Sequence, residues 1–396
     1  MSKIKEFNND INIENKKIIL RSDFNVPIVD QNIKDKTRID LSIPFIKELV
    51  ARKAKVYLIS HLGRPNSKNE KNLSLEPIFR YLKEKIKSNI YFYSEKINKE
   101  TVNKTSFLKN SEVLLFENIR FNKGEIDNDE EFAKNLSNLG DIYINDAFSS
   151  SHRKQASIHK ITEYLKSTYA GPLLMKEIKS INMVLNNKKN PVTCIIGGAK
   201  ISTKIGVILS LIQKVDNLII VGAMANNFLK YKGNNIGNSL IEENTDKIIK
   251  EIYDMANLKN CQITTPIDFG VSKKINGNSI IKNEKNLEDN EIILDIGPKT
   301  IEKINNIIEK SKTVMWNGPA GYFENKNFLK GTISIARKIS DRTIKDSLIS
   351  IVGGGDTISA IQNNMSELNF THLSTAGGAF LEYVEGKNLP GIEVLK

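Results

Sequence analysis

The chain has 396 residues, 40% hydrophobic and 26% charged, which suits two folded domains and excludes a disordered, collagen-like or disulfide-stapled chain. Its 58 Lys and Arg outnumber 46 Asp and Glu, giving a formal charge of +12, yet no clustered basic run with interleaved aromatics marks a nucleic-acid face. Cys194 and Cys261 lie far apart and in no metal-ligand pattern, which argues against zinc and against a secreted disulfide framework.

Short apolar, β-branched runs recur along the chain. The first half carries Lys17–Leu20, Lys55–Ile59, Ile90–Tyr93, Val113–Phe116 and Ile142–Ile144. The second half carries Val192–Ile196, Leu218–Val221, Gln262–Thr264, Ile292–Leu294, Thr313–Trp316 and Leu348–Val352. Their lack of alternation predicts strands buried on both faces of a parallel sheet. Between them fall helical patterns at Ile39–Ala51, Leu75–Ile86, Glu130–Leu139, Lys204–Gln213, Asp246–Met255, Lys299–Glu309, Lys330–Ser340 and Thr357–Asn364. This alternation predicts an α/β protein of two doubly wound, Rossmann-like parallel-sheet domains, with about six strands in each. The expected boundary lies within Tyr164–Asn190, where a helical pattern over Pro172–Leu185 reads as an interdomain helix beside a hinge.

Ligands of open α/β sheets sit beyond the carboxyl ends of the strands. In the first half those ends carry Asp23, Asn25, His61, Arg64, Arg120 and Asn145-Asp146, with Arg38 and Arg153 in a helix start and a loop. Arginine forks suit a small, highly anionic acid. In the second half the same places carry Gly197-Gly198-Ala199-Lys200, Gly222-Ala223, Asn317-Gly318-Pro319 and Gly353-Gly354-Gly355-Asp356-Thr357. Glycines let backbone N–H groups approach phosphates. Lys200 and Lys204 sit where a helix dipole disfavours cations unless an anion is bound; their four-residue spacing predicts both amines on one face. The alternative is two solvated lysines. Asp356 beside a phosphate calls for a cation such as Mg²⁺, or else is a plain helix N-cap. No GxxxxGK[ST] occurs, and Ile358 breaks any extension of Gly353–Gly355 to GxGxxG, which excludes a Walker loop and disfavours a dinucleotide site. No protein-kinase motif is present.

The ordered blocks Arg21–Pro27 (RSDFNVP), Ser60–Pro65 (SHLGRP), Leu115–Phe121 (LFENIRF), Asn145–Phe148 with His152-Arg153, and Gly197–Lys200 (GGAK) open a longer series. It continues through Asp295–Thr300 (DIGPKT), Met315–Glu324 (MWNGPAGYFE), Gly353–Asp356 (GGGD), His372–Ala379 (HLSTAGGA) and Leu389–Gly391 (LPG). End to end, this set resembles the phosphoglycerate kinase family.

The resemblance implies reversible transfer of the acyl phosphate of 1,3-bisphosphoglycerate to ADP, giving 3-phosphoglycerate and ATP, with Mg²⁺. It implies a domain of residues 1–170, to which 382–396 return, and a nucleotide-binding domain of residues 171–381 that includes helix 172–185. Asp23, Asn25, Arg38, His61, Arg64, Arg120 and Arg153 would bind the phosphoglycerate. Lys200, Lys204, Asn317, Pro319, Glu324, Gly353, Gly354, Gly355, Asp356 and Thr357 would bind the nucleotide, with Asp356 toward the metal. Arg38, Lys200, Gly377 and Gly378 would be catalytic, and the domains would close by bending at the hinge. The expected protein is a cytoplasmic monomer with no membrane or nucleic-acid partner, and its N-terminus shows no apolar signal region. Ser22, Ser149-Ser150, Ala223, Ala320 and Ala376 depart from the family pattern. Ala376 would be strained if its backbone needed φ > 0.

Overall fold

The structure, a computed structural model, describes residues 3–65, 71–186, 189–346, 348–365 and 367–396. Residues 187 and 188 of the expected boundary region lie outside the described residues. The chain divides into two units. One runs to Ile178 and takes in Asn388–Lys396; the other is Lys179–Lys387.

The first unit holds a six-stranded sheet, all parallel, in the order Ile90–Tyr93, Val113–Phe116, Lys55–Ile59, Lys17–Arg21, Ile142–Asn145, Ser167–Ala170. Its central strands are apolar on both faces because both are covered. Ile18, Leu20, Val56, Leu58 and Ile144 pack into one cluster with Ile39, Ile46 and Leu49 of the helix Thr37–Ala51. The chain's last segment belongs here: Lys5 N–H donates to Leu395 O (2.8 Å) and Gly391 N–H to Ser151 O (2.9 Å).

The second unit holds another six-stranded parallel sheet, in the order Gln262–Thr264, Asn217–Ile220, Val192–Ile196, Thr313–Asn317, Ile349–Gly353, His372–Ser374. Numbered along this sheet's own strands the order is 3-2-1-4-5-6. The direction of winding reverses between Val192–Ile196 and Thr313–Asn317, where such sheets open a ligand crevice. The helix Pro298–Lys310 shows why the flanking layers form. Pro298 occupies its first turn, and Ile301, Ile304 and Ile308 recur on one buried face.

Two six-stranded parallel α/β sheets are as the sequence predicts, but their membership differs. Ile292–Ile296 is no parallel strand. It pairs antiparallel with Asp268–Ser272, which also pairs with Ile280–Asn283 in a separate three-stranded sheet. The sixth places in the parallel sheets go instead to the edge strands Ser167–Ala170 and His372–Ser374. These are short and partly polar, so they lack the apolar signature of a central strand. The helices Met224–Tyr231 and Gly378–Glu385 were likewise not expected from the pattern. The helix Pro172–Leu185 is present, started by Asp146 Oδ1, which accepts from Leu173 N–H (2.7 Å) and Leu174 N–H (3.1 Å).

Candidate active site

In the first unit, pairing places Arg21 level with Ile59 on one side and Asn145 on the other. The loops that follow these residues therefore emerge at one edge. Asp23 accepts from three donors: Arg38 Nη1 (2.9 Å), Asn25 N–H (3.1 Å) and the Ser149 hydroxyl. Arg38 lies in the first turn of its helix, where the dipole opposes a cation, and Asp23 offsets this. Asn25 Oδ1 accepts from Gly63 N–H (2.9 Å), tying the first loop to the second. Asn118 fixes that second loop, its Nδ2 donating to Leu62 O (2.7 Å) and Leu73 O (2.9 Å).

Arg21 itself is fully buried. It donates to Ser157 Oγ (3.0 Å) and to His61 Nδ1 (3.2 Å). Ser157 in turn donates to the buried Glu125 carboxylate through its hydroxyl (2.7 Å) and its N–H (2.8 Å). Arginine can only donate, so His61 Nδ1 accepts and its proton sits on Nε2. Burial, then the charges of Arg21, Arg120, Arg153 and Arg38, hold the His61 pKa well below its usual value. The ring is a neutral donor among cations.

Arg120 is 6% exposed. Its Nη1 donates to Gly63 O, while its Nε and Nη2 bond no protein atom. Burial, then repulsion from Arg153 and Arg21, lowers its pKa to about 10. Arg153 and His152 are half-buried nearby in the loop after Asn145, and Arg64 is exposed. Asp23, Asn25, Arg38, His61, Arg120 and Arg153 thus gather by hydrogen bond or by charge. Arg21 and Asn118 stand inside the quoted motif blocks without an assigned role, and Ser157 and Glu125 carry no signal in the sequence beyond their polar type.

In the second unit, Asn317 lies level with Ile196 and Gly353. Here the backbones crowd. A Cβ on Gly197 would fall 2.3 Å from Pro319 O, so only glycine fits. Gly354 has φ of 99° and caps the helix Gly355–Gln362. Thr357 is buried beneath this turn, its hydroxyl accepting from Gly318 N–H (2.8 Å). Asn317 Nδ2 is buried with no protein partner. Space is open above Gly355 and Gly377, where an added Cβ would meet nothing within 4 Å. Gly377 caps the helix Gly378–Glu385 beyond the neighbouring edge strand.

Lys200 and Lys204 are not one helical turn apart. Lys200 is exposed in the loop, and the α-helix begins only at Ile205, so the helical four-residue relation does not apply to it. Lys204 closes a 3-10 turn and its Nζ reaches back to Gly197 O and Asn317 Oδ1 (3.2 Å). Burial lowers its pKa to about 8, against the pull of Asp356.

Beside these turns is a cavity of about 460 Å³. Gly198, Pro319, Glu324 and Asp356 line it, and Leu240 and Phe269 are among its apolar walls. Glu324 and Asp356 are exposed at their positions. Of the unusual alanines, Ala223 is helical (φ −62°), and Ala376 is not among the non-glycine residues with positive φ. Neither is strained.

The family model for phosphoglycerate kinase matches residues 8–387. Phosphoglycerate kinase of Orientia tsutsugamushi is 45% identical over 390 residues, covering 98% of this chain and 96% of that one. The Wolbachia enzyme from Drosophila simulans is 43% identical over 386 residues, covering 97% and 96%. The solved structure of phosphoglycerate kinase from Coxiella burnetii superposes with a TM-score of 0.88 at 37% identity, covering 99% of each chain. That from Pyrococcus horikoshii gives 0.84 at 29% identity, covering 98% and 97%. The chain belongs to the phosphoglycerate kinase family and carries its activity, reversible phosphoryl transfer between 1,3-bisphosphoglycerate and ADP.

Proposed function

We propose that the arginine-rich loops of the first unit bind the phosphoglycerate and that the glycine-rich strand ends of the second bind the nucleotide. The observation that carries this is Arg120, a buried guanidinium whose Nε and Nη2 have no protein acceptor. Such a group costs stability unless an anion completes it. Asp23, Asn25, Arg38, His61, Arg64 and Arg153 complete that site. Lys200, Lys204, Asn317, Pro319, Glu324, Gly353, Gly354, Gly355, Asp356 and Thr357 form the other.

In the ATP-consuming direction the nucleophile is a carboxylate, ionised at neutral pH, so no general base is required. Catalysis then rests on in-line placement and on positive charge around the transferring group. Arg38 and Lys200 supply that charge, with N–H groups of Gly377 and Gly378. Direct transfer requires the two ligands to meet, so the cycle includes a closing motion that also excludes water.

Among the described residues no group of three or more His, Cys, Asp or Glu gathers to cage a metal. The exposed carboxylate of Asp356 at the nucleotide cavity fits Mg²⁺, which is held by one or two carboxylates plus substrate phosphates. When bound there it would offset phosphate charge. Among the described residues no helix is long and apolar enough to cross a membrane. We take the working form to be a cytoplasmic monomer.

Arg120→Ala should weaken 3-phosphoglycerate binding about ten- to hundredfold, the scale of a lost charge-assisted pair. Mg-ATP affinity should be unchanged. Calorimetry on the two ligands checks this, and an unaltered 3-phosphoglycerate Kd would refute the assignment.

A further inference from the structure

The nucleotide cavity contains a polar group that the roles above leave unused. Asn226, in the helix Met224–Tyr231, lines this cavity and is 1% exposed. Its Nδ2 donates to Leu240 O at 3.0 Å, and Leu240 lines the same cavity. That bond fixes the orientation of the amide, because a flipped amide would set oxygen against oxygen. The remaining atom is therefore the acceptor Oδ1, which bonds no protein atom. The walls of the cavity that Asn226 lines include the apolar Leu229, Leu240, Phe269, Ile293 and Ile296. The other buried carboxamide-like acceptor at the cavity, the Asp295 carboxylate, is already occupied. Its Oδ1 accepts from Ile296 N–H (2.8 Å) and its Oδ2 from Gly331 N–H (2.9 Å).

An unpaired acceptor in an apolar recess selects a ligand that donates there, since a ligand without the donor leaves a buried polar atom unsatisfied. Among the atoms of an adenine base, the ring nitrogens N1, N3 and N7 only accept. The exocyclic 6-amino group is the donor. We infer that Asn226 is a specificity-determining residue whose Oδ1 accepts a hydrogen bond from the 6-amino group of the adenine nucleotide. The inference rests on the nucleotide-site reading above. It adds that the site selects for the base through a side chain as well as accommodating a flat apolar ring.

The test compares ADP with purine riboside 5′-diphosphate, which has hydrogen in place of the 6-amino group. Both are assayed against 1,3-bisphosphoglycerate, in the native protein and in Asn226→Ala. A 6-oxo base is a poorer probe because its N1–H can donate instead. The native protein should prefer ADP in kcat/KM by about tenfold or more, expressed mainly in KM. In Asn226→Ala the preference should fall to about twofold or less. Equal use of the two nucleotides by the native protein would overturn the inference without recourse to any variant. So would an undiminished preference in a folded Asn226→Ala protein. Absence of turnover with every nucleotide, ADP included, would instead overturn the nucleotide-site reading, and this inference with it.

Discussion

At His61, one hydrogen bond settles a protonation state. Arg21 Nη2 lies 3.2 Å from Nδ1, and the surrounding cations and burial lower the ring's pKa. The folded protein therefore resists a proton that the unfolded chain takes up below about pH 6.5, so this residue's contribution to stability declines as pH falls through that range. Nitrogen NMR of the ring from pH 8 to 5.5 should show a neutral imidazole protonated at Nε2 throughout. A midpoint at or above 6.5 would contradict it. His61→Gln, which keeps a neutral donor near the Nε2 position, should bind 3-phosphoglycerate better than His61→Ala. This detail was not legible in the sequence. His61 stands in a motif, but its neutrality depends on burial and on Arg21, Arg120, Arg153 and Arg38, and Arg21 is held by Ser157, 136 residues away. A single sequence offers no reason to join them.

Among elements, the turns that begin helices decide what the strand ends can do. Gly354 holds φ of 99°, which calls for glycine, and a Cβ there would also crowd Asn317 Nδ2 at 3.0 Å. Ala376 is the contrasting case. It is buried, its φ is not positive, and its N–H donates to Ser374 Oγ at 3.3 Å. Ala376→Gly should therefore raise no rate and should cost roughly 0.5–1 kcal/mol of stability through added unfolded-state freedom. Denaturant unfolding and steady-state assay check it; a faster, equally stable variant would show that the backbone here wanted glycine. Central strands and amphipathic helices were readable from apolar runs because both faces of the sheets are covered. The run Ile292–Leu294 does form a strand, but an antiparallel one, because a run of Ile and Leu carries no mark of strand direction. Ser167–Ala170 and His372–Ser374 escaped because edge strands need fewer apolar residues. Lys204 was read by helical spacing, which fails in a 3-10 turn.

Over the whole molecule, charge and function meet in particular places. The formal +12 is spread over 58 cations, but the informative ones are few: Arg21, Arg38, Arg120 and Arg153 interact around one buried histidine. The ordered motifs made the family legible end to end, since each falls at a strand end or helix start where ligands approach. In the proposed reaction the first unit takes the 3-phospho acid and the second supplies the phosphoryl group to its carboxylate. The most direct measurement is acyl phosphate formation from ATP and Mg²⁺, trapped with hydroxylamine, with 3-phosphoglycerate against 2-phosphoglycerate. Hydroxamate should form with 3-phosphoglycerate alone and should vanish without nucleotide. Equal product from both acids, or none from either while nucleotide still binds, would contradict that division of roles.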